Sequence, residues 1–401
     1  MVGQESRNPM NKPPYKVPSM QEIADLPWNG YNVVSTFSGC GGSCLGFKMA
    51  GFKVLWANEF IPAAQDTYRA NHKGTILDTR DIRKVQASEI LDAIGLSKGQ
   101  LDVFEGSPPC ASFSTAGKRE AGWGKVKKYS DSYQRTDDLF FEYARLLNDL
   151  QPKVFIAENV SGLVKGTAKG YFLLILKALK ECGYDVSAKV LDAQWLGVPQ
   201  ARQRLIFIGV REDLGIKPIH PAPLSYFYSA RDAIPYITAI WTNSSYKPIK
   251  KDSDNAFPTV LQSGANEKQG MVERSGDERK WLSENMQKMW KNTPPGKTLD
   301  VGRIDGKNSC FTKRKLHPDK PSPTVLQSCS VGTPDLYMPD RPASPTISEL
   351  KRICAFPDDF ILTGSYSQQW ERLGRAVPPV MMSYIASCIR DDILAKIKIA
   401  P

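Results

Sequence analysis

A chain of 401 residues, 41% of them hydrophobic, is long enough to bury one large core and a smaller one, and this composition argues against disorder. Its 53 Lys and Arg against 42 Asp and Glu leave a formal net charge of +11, which suits a polyanionic partner as well as ordinary solubility. Residues 1–28 are polar and Pro-rich without the apolar stretch of a signal peptide, and no window reaches the length of a membrane span, so a cytoplasmic protein is expected.

In chain order, Tyr31–Phe37 is apolar and β-branched-rich, then breaks at Gly39-Cys40-Gly41-Gly42 before a segment that continues as helix to Met49. The order is strand, glycine turn, helix. Lys53–Ala57 reads as a second buried strand, ending at Asn58 and Glu59, and Leu101–Glu105 and Val154–Ala157 as further short strands with polar or proline-containing tips. Leu205–Val210 is another strand, while Leu139–Leu150 and Tyr171–Glu181 carry helical periodicity. This alternation predicts a mostly parallel, doubly wound sheet over residues 31–214, with ligand sites beyond the carboxyl ends of its strands. Residues 1–30 read as an N-terminal extension.

From about residue 215 to 340 the pattern loosens into Pro, Gly, Ser, Asn and Lys. Phe257-Pro258-Thr259-Val260-Leu261-Gln262-Ser263 recurs as Ser322-Pro323-Thr324-Val325-Leu326-Gln327-Ser328, with a shorter echo at Ser344-Pro345-Thr346-Ile347-Ser348. So few copies are reused turn–strand elements rather than a solenoid. Over 341–401, Ser348–Phe356 and Pro379–Leu394 are predicted helices that return in part to the first domain.

The glycine turn lets a ligand approach backbone NH groups, but Cys44 stands where the GxGxxG fingerprint needs its last glycine, which weakens a nicotinamide reading. Glu59 is placed to accept from a ribose, and Asp81-Ile82 offers an acidic edge for an adenine amino group; together they point to a nucleoside-containing cofactor. Eight cysteines are sparse, and Cys40 and Cys44 have no second pair to complete a zinc site. The three histidines, His72, His220 and His317, are far apart in sequence, so the chemistry is sought elsewhere.

Gly106-Ser107-Pro108-Pro109-Cys110 follows a strand and holds Cys110 in a constrained turn. Glu158-Asn159-Val160 lies at another strand tip, and Gln200-Ala201-Arg202-Gln203-Arg204 precedes the next strand. A thiol, a carboxyl group and guanidinium groups suit addition to an electron-poor ring, with a structural ion-pair network of Glu158 and the arginines as the lesser alternative.

The ordered set Phe37-Ser38-Gly39-Cys40-Gly41-Gly42, Pro109-Cys110, Glu158-Asn159-Val160, Gln200-x-Arg202-x-Arg204 and Gly374-Arg375-Ala376-Val377-Pro378-Pro379 resembles the DNA cytosine-C5 methyltransferase family. The resemblance implies a Rossmann-like S-adenosylmethionine-dependent methyltransferase fold with a smaller, irregular target-recognition domain. It makes Phe37, Gly39, Gly41, Gly42, Glu59, Phe60, Asp81, Ile82, Pro109, Arg375 and Ala376 the expected S-adenosylmethionine site, with no metal. Cys110 would add to cytosine C6, Glu158 would meet N3 and the amino group, Arg204 would bind O2, and Arg202 would support the site.

A stacked cytosine cannot expose C6, so the resemblance also implies base flipping in double-stranded DNA. Ser112, Ser114, Lys118, Arg119, Lys125, Lys127 and Lys128 would form a closing, phosphate-following loop, and Lys313, Arg314 and Lys315 a basic cluster in the target-recognition region, beside Lys320. Ala111 departs from the family's glutamine. Arg375 replaces the usual asparagine, and it either pairs with a carboxylate, binds the cofactor's methionine carboxylate, or admits a carboxylated cofactor for carboxymethyl transfer. An RNA cytosine-C5 methyltransferase and a catalytically silent DNA-binding protein are the alternatives. A restriction endonuclease is the expected functional partner.

Overall fold

The computed structural model describes residues 12–109, 127–129, 132–134, 138–237, 280–299, 313–327 and 336–397. They fall into two compact units: Met1–Ser19, Gln194–Arg202 and Leu224–Arg375 belong to one, and Met20–Ala193, Gln203–Pro223 and Ala376–Pro401 to the other.

The second of these units is built on a seven-stranded sheet. After a short helix α1 (Met20–Ala24), the chain alternates β1 (Asn32–Thr36), α2 (Gly42–Met49), β2 (Lys53–Asn58), α3 (Pro62–Asn71), β3 (Ile76–Asp78), α4 (Ala87–Ile94) and β4 (Val103–Gly106). A small hairpin of β5 (Lys127–Tyr129) and β6 (Ser132–Gln134) precedes α5 (Leu139–Leu150), β7 (Val154–Val160), α6 (Lys169–Glu181), β8 (Tyr184–Asp192) and β9 (Gln203–Arg211). The strand order is β3-β2-β1-β4-β7-β9-β8, and β9 runs antiparallel to both of its neighbours. The expected mostly parallel sheet is therefore present.

Both faces of the central strands are covered, so they are apolar almost throughout: Val33, Val34, Val103, Phe104, Val154, Phe155 and Ile156 are fully buried. The core is continued by Leu139, Phe140, Tyr143 and Leu147 from α5 and Ile175 and Leu179 from α6, an i, i+4 spacing that sets one face of each helix on the sheet. Tyr143 buries its ring, and its hydroxyl donates to the carbonyls of Phe104 and Ile156, at 3.2 and 2.9 Å, bridging β4 and β7. The C-terminal helix Pro379–Asp392 packs on α2, where Gly46 is required because a Cβ would stand 2.5 Å from the Pro379 carbonyl oxygen.

Elements that periodicity did not announce include the edge strands β3 and β8, the helices α1, α3 and α4, and, in the other unit, the helices Ala230–Ala233, Glu284–Asn292 and Tyr366–Arg375. β3 has only three residues, none fully buried, and β8 alternates burial with polar positions, so neither carries the continuous apolar signal of a central strand.

Among its described residues the other unit carries the helices Glu284–Asn292, Ile347–Ile353 and Tyr366–Arg375 and a two-residue parallel pairing of Arg314–Lys315 and Leu336–Tyr337. A small core forms around Leu282, Trp290, Leu299 and Tyr337. The second copy of the repeated motif makes its contacts within this unit: the Gln200 amide oxygen accepts from Val325 N at 3.1 Å, and Thr324 Oγ1 donates to the Ala201 carbonyl at 2.7 Å. The first copy lies outside the described residues.

Candidate active site

Five parallel strands bring their carboxyl ends to one line. Thr36 of β1 is in register with Asn58 of β2 and Gly106 of β4, Asn58 with Asp78 of β3, and Gly106 with Ala157 of β7. The order reverses between β1 and β4, and there a doubly wound sheet opens a crevice for a ligand. Residues from five different sequence regions meet at this edge for that topological reason.

The turn after β1 is held open by its backbone. Phe37, Gly39 and Gly41 all have positive φ, of 54°, 57° and 89°. Gly41 tolerates nothing larger, since a Cβ there would lie 2.0 Å from Nε2 of His72. That imidazole is buried, stacks on Tyr68 with ring centroids 4.3 Å apart, and is pushed well below the ordinary histidine range by burial, so it sits neutral beneath the turn. Glu59, just past β2, accepts from the amides of Gly39 and Ile61, both at 2.7 Å, and so ties the turn to the β2 exit. Phe60 beside it is 37% exposed, an aromatic face left outside the core. Asp81 accepts from the Arg83 amide and pairs with the Arg83 guanidinium at 3.0 Å, whereas the Ile82 side chain is buried.

A nucleoside-type cofactor fits these residues. Gly39 faces open space, since a Cβ there would meet nothing within 4 Å, and α2 begins at Gly42 with no side-chain cap on its amides. A carboxylate already fixed at Glu59 and an exposed ring at Phe60 flank that opening.

On the other side of the switch point, Glu158 of β7 and Arg204 of β9 lie diagonally across the two strands and form an ion pair, Nε to Oε1 2.6 Å. Their side chains are 12% and 14% exposed, so the pair is mostly withdrawn from water but still reachable. Burial pushes the Arg204 guanidinium down, and Glu158 opposes that shift. Asn159 Nδ2 donates to the Pro108 carbonyl at 3.2 Å, which fixes the segment Ser107-Pro108-Pro109 leading to Cys110 against β7. Cys110 itself, with Ser112, Ser114, Lys118, Arg119 and Lys125 and the side chains of Lys127 and Lys128, lies outside the described residues.

Arg202 belongs to the other unit, where its buried guanidinium donates to the Val325 and Gly374 carbonyls at 3.0 and 2.8 Å. Gly374 is dictated by the same packing, because a Cβ would fall 2.2 Å from the Leu326 carbonyl oxygen. Arg375, at the end of the helix Tyr366–Arg375, pairs with Glu371 one turn earlier, Nε to Oε1 2.7 Å, which is the ordinary carboxylate pairing among the roles its sequence position allows. Ala376 follows in the sheet unit, at the start of the turn into the C-terminal helix.

One expected DNA contact needs correction. Lys315 is fully buried: its ammonium donates to the Trp290 and Thr293 carbonyls and lies 3.7 Å from the centre of the Trp290 ring. It cannot follow a phosphate, whereas Arg314 is exposed and Lys313 half-buried. Strand alternation explains the split, since neighbours in an extended segment point to opposite faces. Lys315→Met is therefore expected to lower thermal stability by about 1–3 kcal/mol through loss of these bonds. Its salt dependence of DNA binding should equal the wild type's, while Arg314→Ala should make the slope shallower by roughly one unit. A shallower slope for Lys315→Met would restore it to the DNA face.

The sequence reading does not single out Asn159 as a loop anchor or the acid Glu105. Glu105 does leave a trace: a charged residue closing an otherwise apolar buried strand.

A glycine turn, a carboxylate at the tip of β2 and the reversed β9 define an S-adenosylmethionine-dependent methyltransferase fold. A sequence model of C-5 cytosine-specific DNA methylases matches residues 31–391. The chain is 31% identical over 380 residues to the Type II methyltransferase M.NgoPII of Neisseria gonorrhoeae, covering 92% of this chain and 98% of that protein. It is also 31% identical over 379 residues to M.FnuDI of Fusobacterium nucleatum, covering 92% and 96%. Among solved structures, the S. pombe Dnmt2 methyltransferase matches with a TM-score of 0.55 at 17% identity over 90% of this chain and 98% of that one, a likeness of fold. The chain belongs to the C-5 cytosine-specific DNA methylase family, and it is a DNA cytosine-5-methyltransferase. Among the described residues there is no cluster of side chains suited to a metal ion, and no helix is long and apolar enough to cross a membrane.

Proposed function

We propose that this enzyme methylates C5 of a cytosine flipped out of double-stranded DNA, through a covalent bond between Cys110 and C6. The observation that carries this reading is the Glu158–Arg204 pair at the sheet edge, beside the Asn159-anchored loop that runs into Cys110. Both members of that pair can turn to the pyrimidine edge: Glu158 to N3 and the amino group, Arg204 to O2. Holding N3 in hydrogen-bonded or protonated form draws electrons from C6, so the Cys110 sulfur adds there and C5 becomes nucleophilic. When bound, S-adenosylmethionine supplies the electrophilic methyl carbon. Loss of the C5 proton, with water as the acceptor, and departure of the sulfur from C6 restore the ring and the free thiol.

Phe37, Gly39, Gly41, Gly42, Glu59, Phe60, Asp81, Ile82, Pro109 and Ala376 would line the cofactor site. In it Glu59 would take the ribose hydroxyls, Phe60 the adenine face and Asp81 the adenine edge. Arg375, already paired with Glu371, supports methyl rather than carboxymethyl as the group transferred. Ser112, Ser114, Lys118, Arg119, Lys125, Lys127 and Lys128, with Lys313 and Arg314, are proposed to meet DNA. The Type II methyltransferases among its relatives support pairing with a restriction endonuclease of the same target sequence, which an adjacent reading frame would reveal.

Bisulfite sequencing of mixed-sequence duplex DNA after incubation with the enzyme and S-adenosylmethionine tests this function, with Cys110→Ala and an RNA of matching sequence run in parallel. Protected cytosines in one sequence context, methylcytosine by mass spectrometry and none with Cys110→Ala are expected. Transfer that survives loss of the thiol, or that goes to RNA alone, would overturn the reading.

A further inference from the structure

Five residues before Cys110, a carboxyl group is buried in the centre of the sheet. Glu105 is 1% exposed and stands on β4 in register with Ser35 of β1 on one side and Ile156 of β7 on the other. Parallel strands covered on both faces are ordinarily apolar, so an acid at this position calls for a reason beyond packing.

Hydroxyl groups surround it. Ser35 Oγ donates to Oε2 at 2.6 Å, Ser107 Oγ donates to Oε1 at 3.4 Å, and the Ser43 hydroxyl bonds to the same carboxyl group. Ser35 is itself 2.8 Å from Ser38 Oγ. The titratable groups that face it are Glu158 from β7, Cys44 from α2, Tyr68 from α3 and Tyr143 from α5. Ser35 and Ser38 lead into the glycine turn, Ser43 lies in the first turn of α2, and Ser107 opens the segment that ends at Cys110. A single side chain is thus bonded to both loops on which the reaction depends.

We propose that Glu105 is a positioning residue for methyl transfer, its buried carboxylate fixing the cofactor turn and the nucleophile loop relative to each other through Ser35, Ser43 and Ser107. The proposal rests on the reading of Cys110 as nucleophile. A carboxylate only accepts, so the serine hydroxyls all turn toward it; once protonated it must donate one bond, and a serine has to turn away. Burial, with the charge of Glu158 adding to it, raises its pKa from the ordinary 4.5 to about 7, so this change falls near neutrality.

The sign is unusual. Because the folded pKa lies above the unfolded one, the stabilising form is the protonated acid: its contribution is complete below 4.5 and is lost as pH rises through about 7. The form that holds both loops is the ionised one. Stability and loop positioning therefore run in opposite directions with pH, which a merely structural acid would not produce.

Glu105→Gln in the full chain separates the two. Its cofactor-free protein should melt with the wild type at about pH 4, and increasingly above it as pH rises to about 8.5. Calorimetric titration with S-adenosylmethionine should show binding weakened ~10-fold at about pH 8.5 but within roughly twofold at about pH 5.5, in step with the ionised fraction of the wild type. Single-turnover rates should show Ser35→Ala and Ser107→Ala coupled in the wild-type background and additive in Glu105→Gln. Wild-type affinity and rate at the higher pH, or a deficit equal at both pH values, would overturn the proposal. Melting and cofactor binding need no thiol, so the Cys110→Ala background reproduces the pH-dependent results even if Cys110 proves not to be the nucleophile.

Discussion

Glu158→Gln is expected to slow single-turnover methyl transfer by ~100- to 10,000-fold, the usual range for a positioned acid or base, while the protein stays folded. The amide keeps the shape of the carboxyl group and an oxygen that accepts from Arg204, but it removes the negative charge and the proton proposed to activate the pyrimidine at N3. The cost to the fold should be no more than about 1–3 kcal/mol, because the guanidinium, 14% exposed, keeps a hydrogen-bond acceptor in place of its ion partner. Complete deletion with Glu158→Ala leaves the Arg204 charge uncompensated and should destabilise more, by roughly 3–5 kcal/mol. Affinity for S-adenosylmethionine should be unchanged in Glu158→Gln, since Glu59 and the glycine turn hold the other side of the switch point. Rapid-quench measurement of methylated duplex against calorimetric cofactor binding separates these effects. A rate within threefold or so of wild type would leave the ion pair a structural one.

The second large effect is expected at Gly41. Alanine there would be strained at φ 89°, and its Cβ would lie 2.0 Å from His72 Nε2, so the turn must move. Backbone strain of about 1–3 kcal/mol and a comparable overpacking cost add at one position. Displacing the turn also draws the Gly39 amide away from the Glu59 carboxylate, 2.7 Å in the native arrangement. Binding of S-adenosylmethionine to Gly41→Ala should therefore weaken by ~100-fold or more, with a lower melting temperature. Adding His72→Ala removes the steric part and leaves the backbone part, so the double variant should recover affinity in part. Full recovery would show that φ carries no cost here, and no recovery that the clash is irrelevant.

Local chemistry made much of the site legible. Gly39 and Gly41 show in the sequence because positive φ selects glycine, and Glu59 because it follows an apolar strand directly. Pro108 and Pro109 mark a constrained turn before Cys110 whatever surrounds it. Glu158 and Arg204 are 46 residues apart and could be named separately, but their pairing needs β7 and β9 to be antiparallel neighbours, so that Val160 faces Arg204 in register. Lys313, Arg314 and Lys315 look alike as a run of charge, and only the burial of Lys315 over Trp290 divides them.

Sequence by itself therefore determined the alternating strands and helices, the glycine turn, and the polar residues at the strand tips on which the proposed chemistry rests. These follow from short-range rules: periodicity, allowed φ, and the contrast between apolar runs and polar ends. Tertiary structure decided the reversal of β9, the anchoring of the Pro108 carbonyl by Asn159, and the burial of Glu105 among serines from two loops. Each depends on which strands lie side by side, and strand order is fixed by the burial of whole faces rather than by any local stretch of chain.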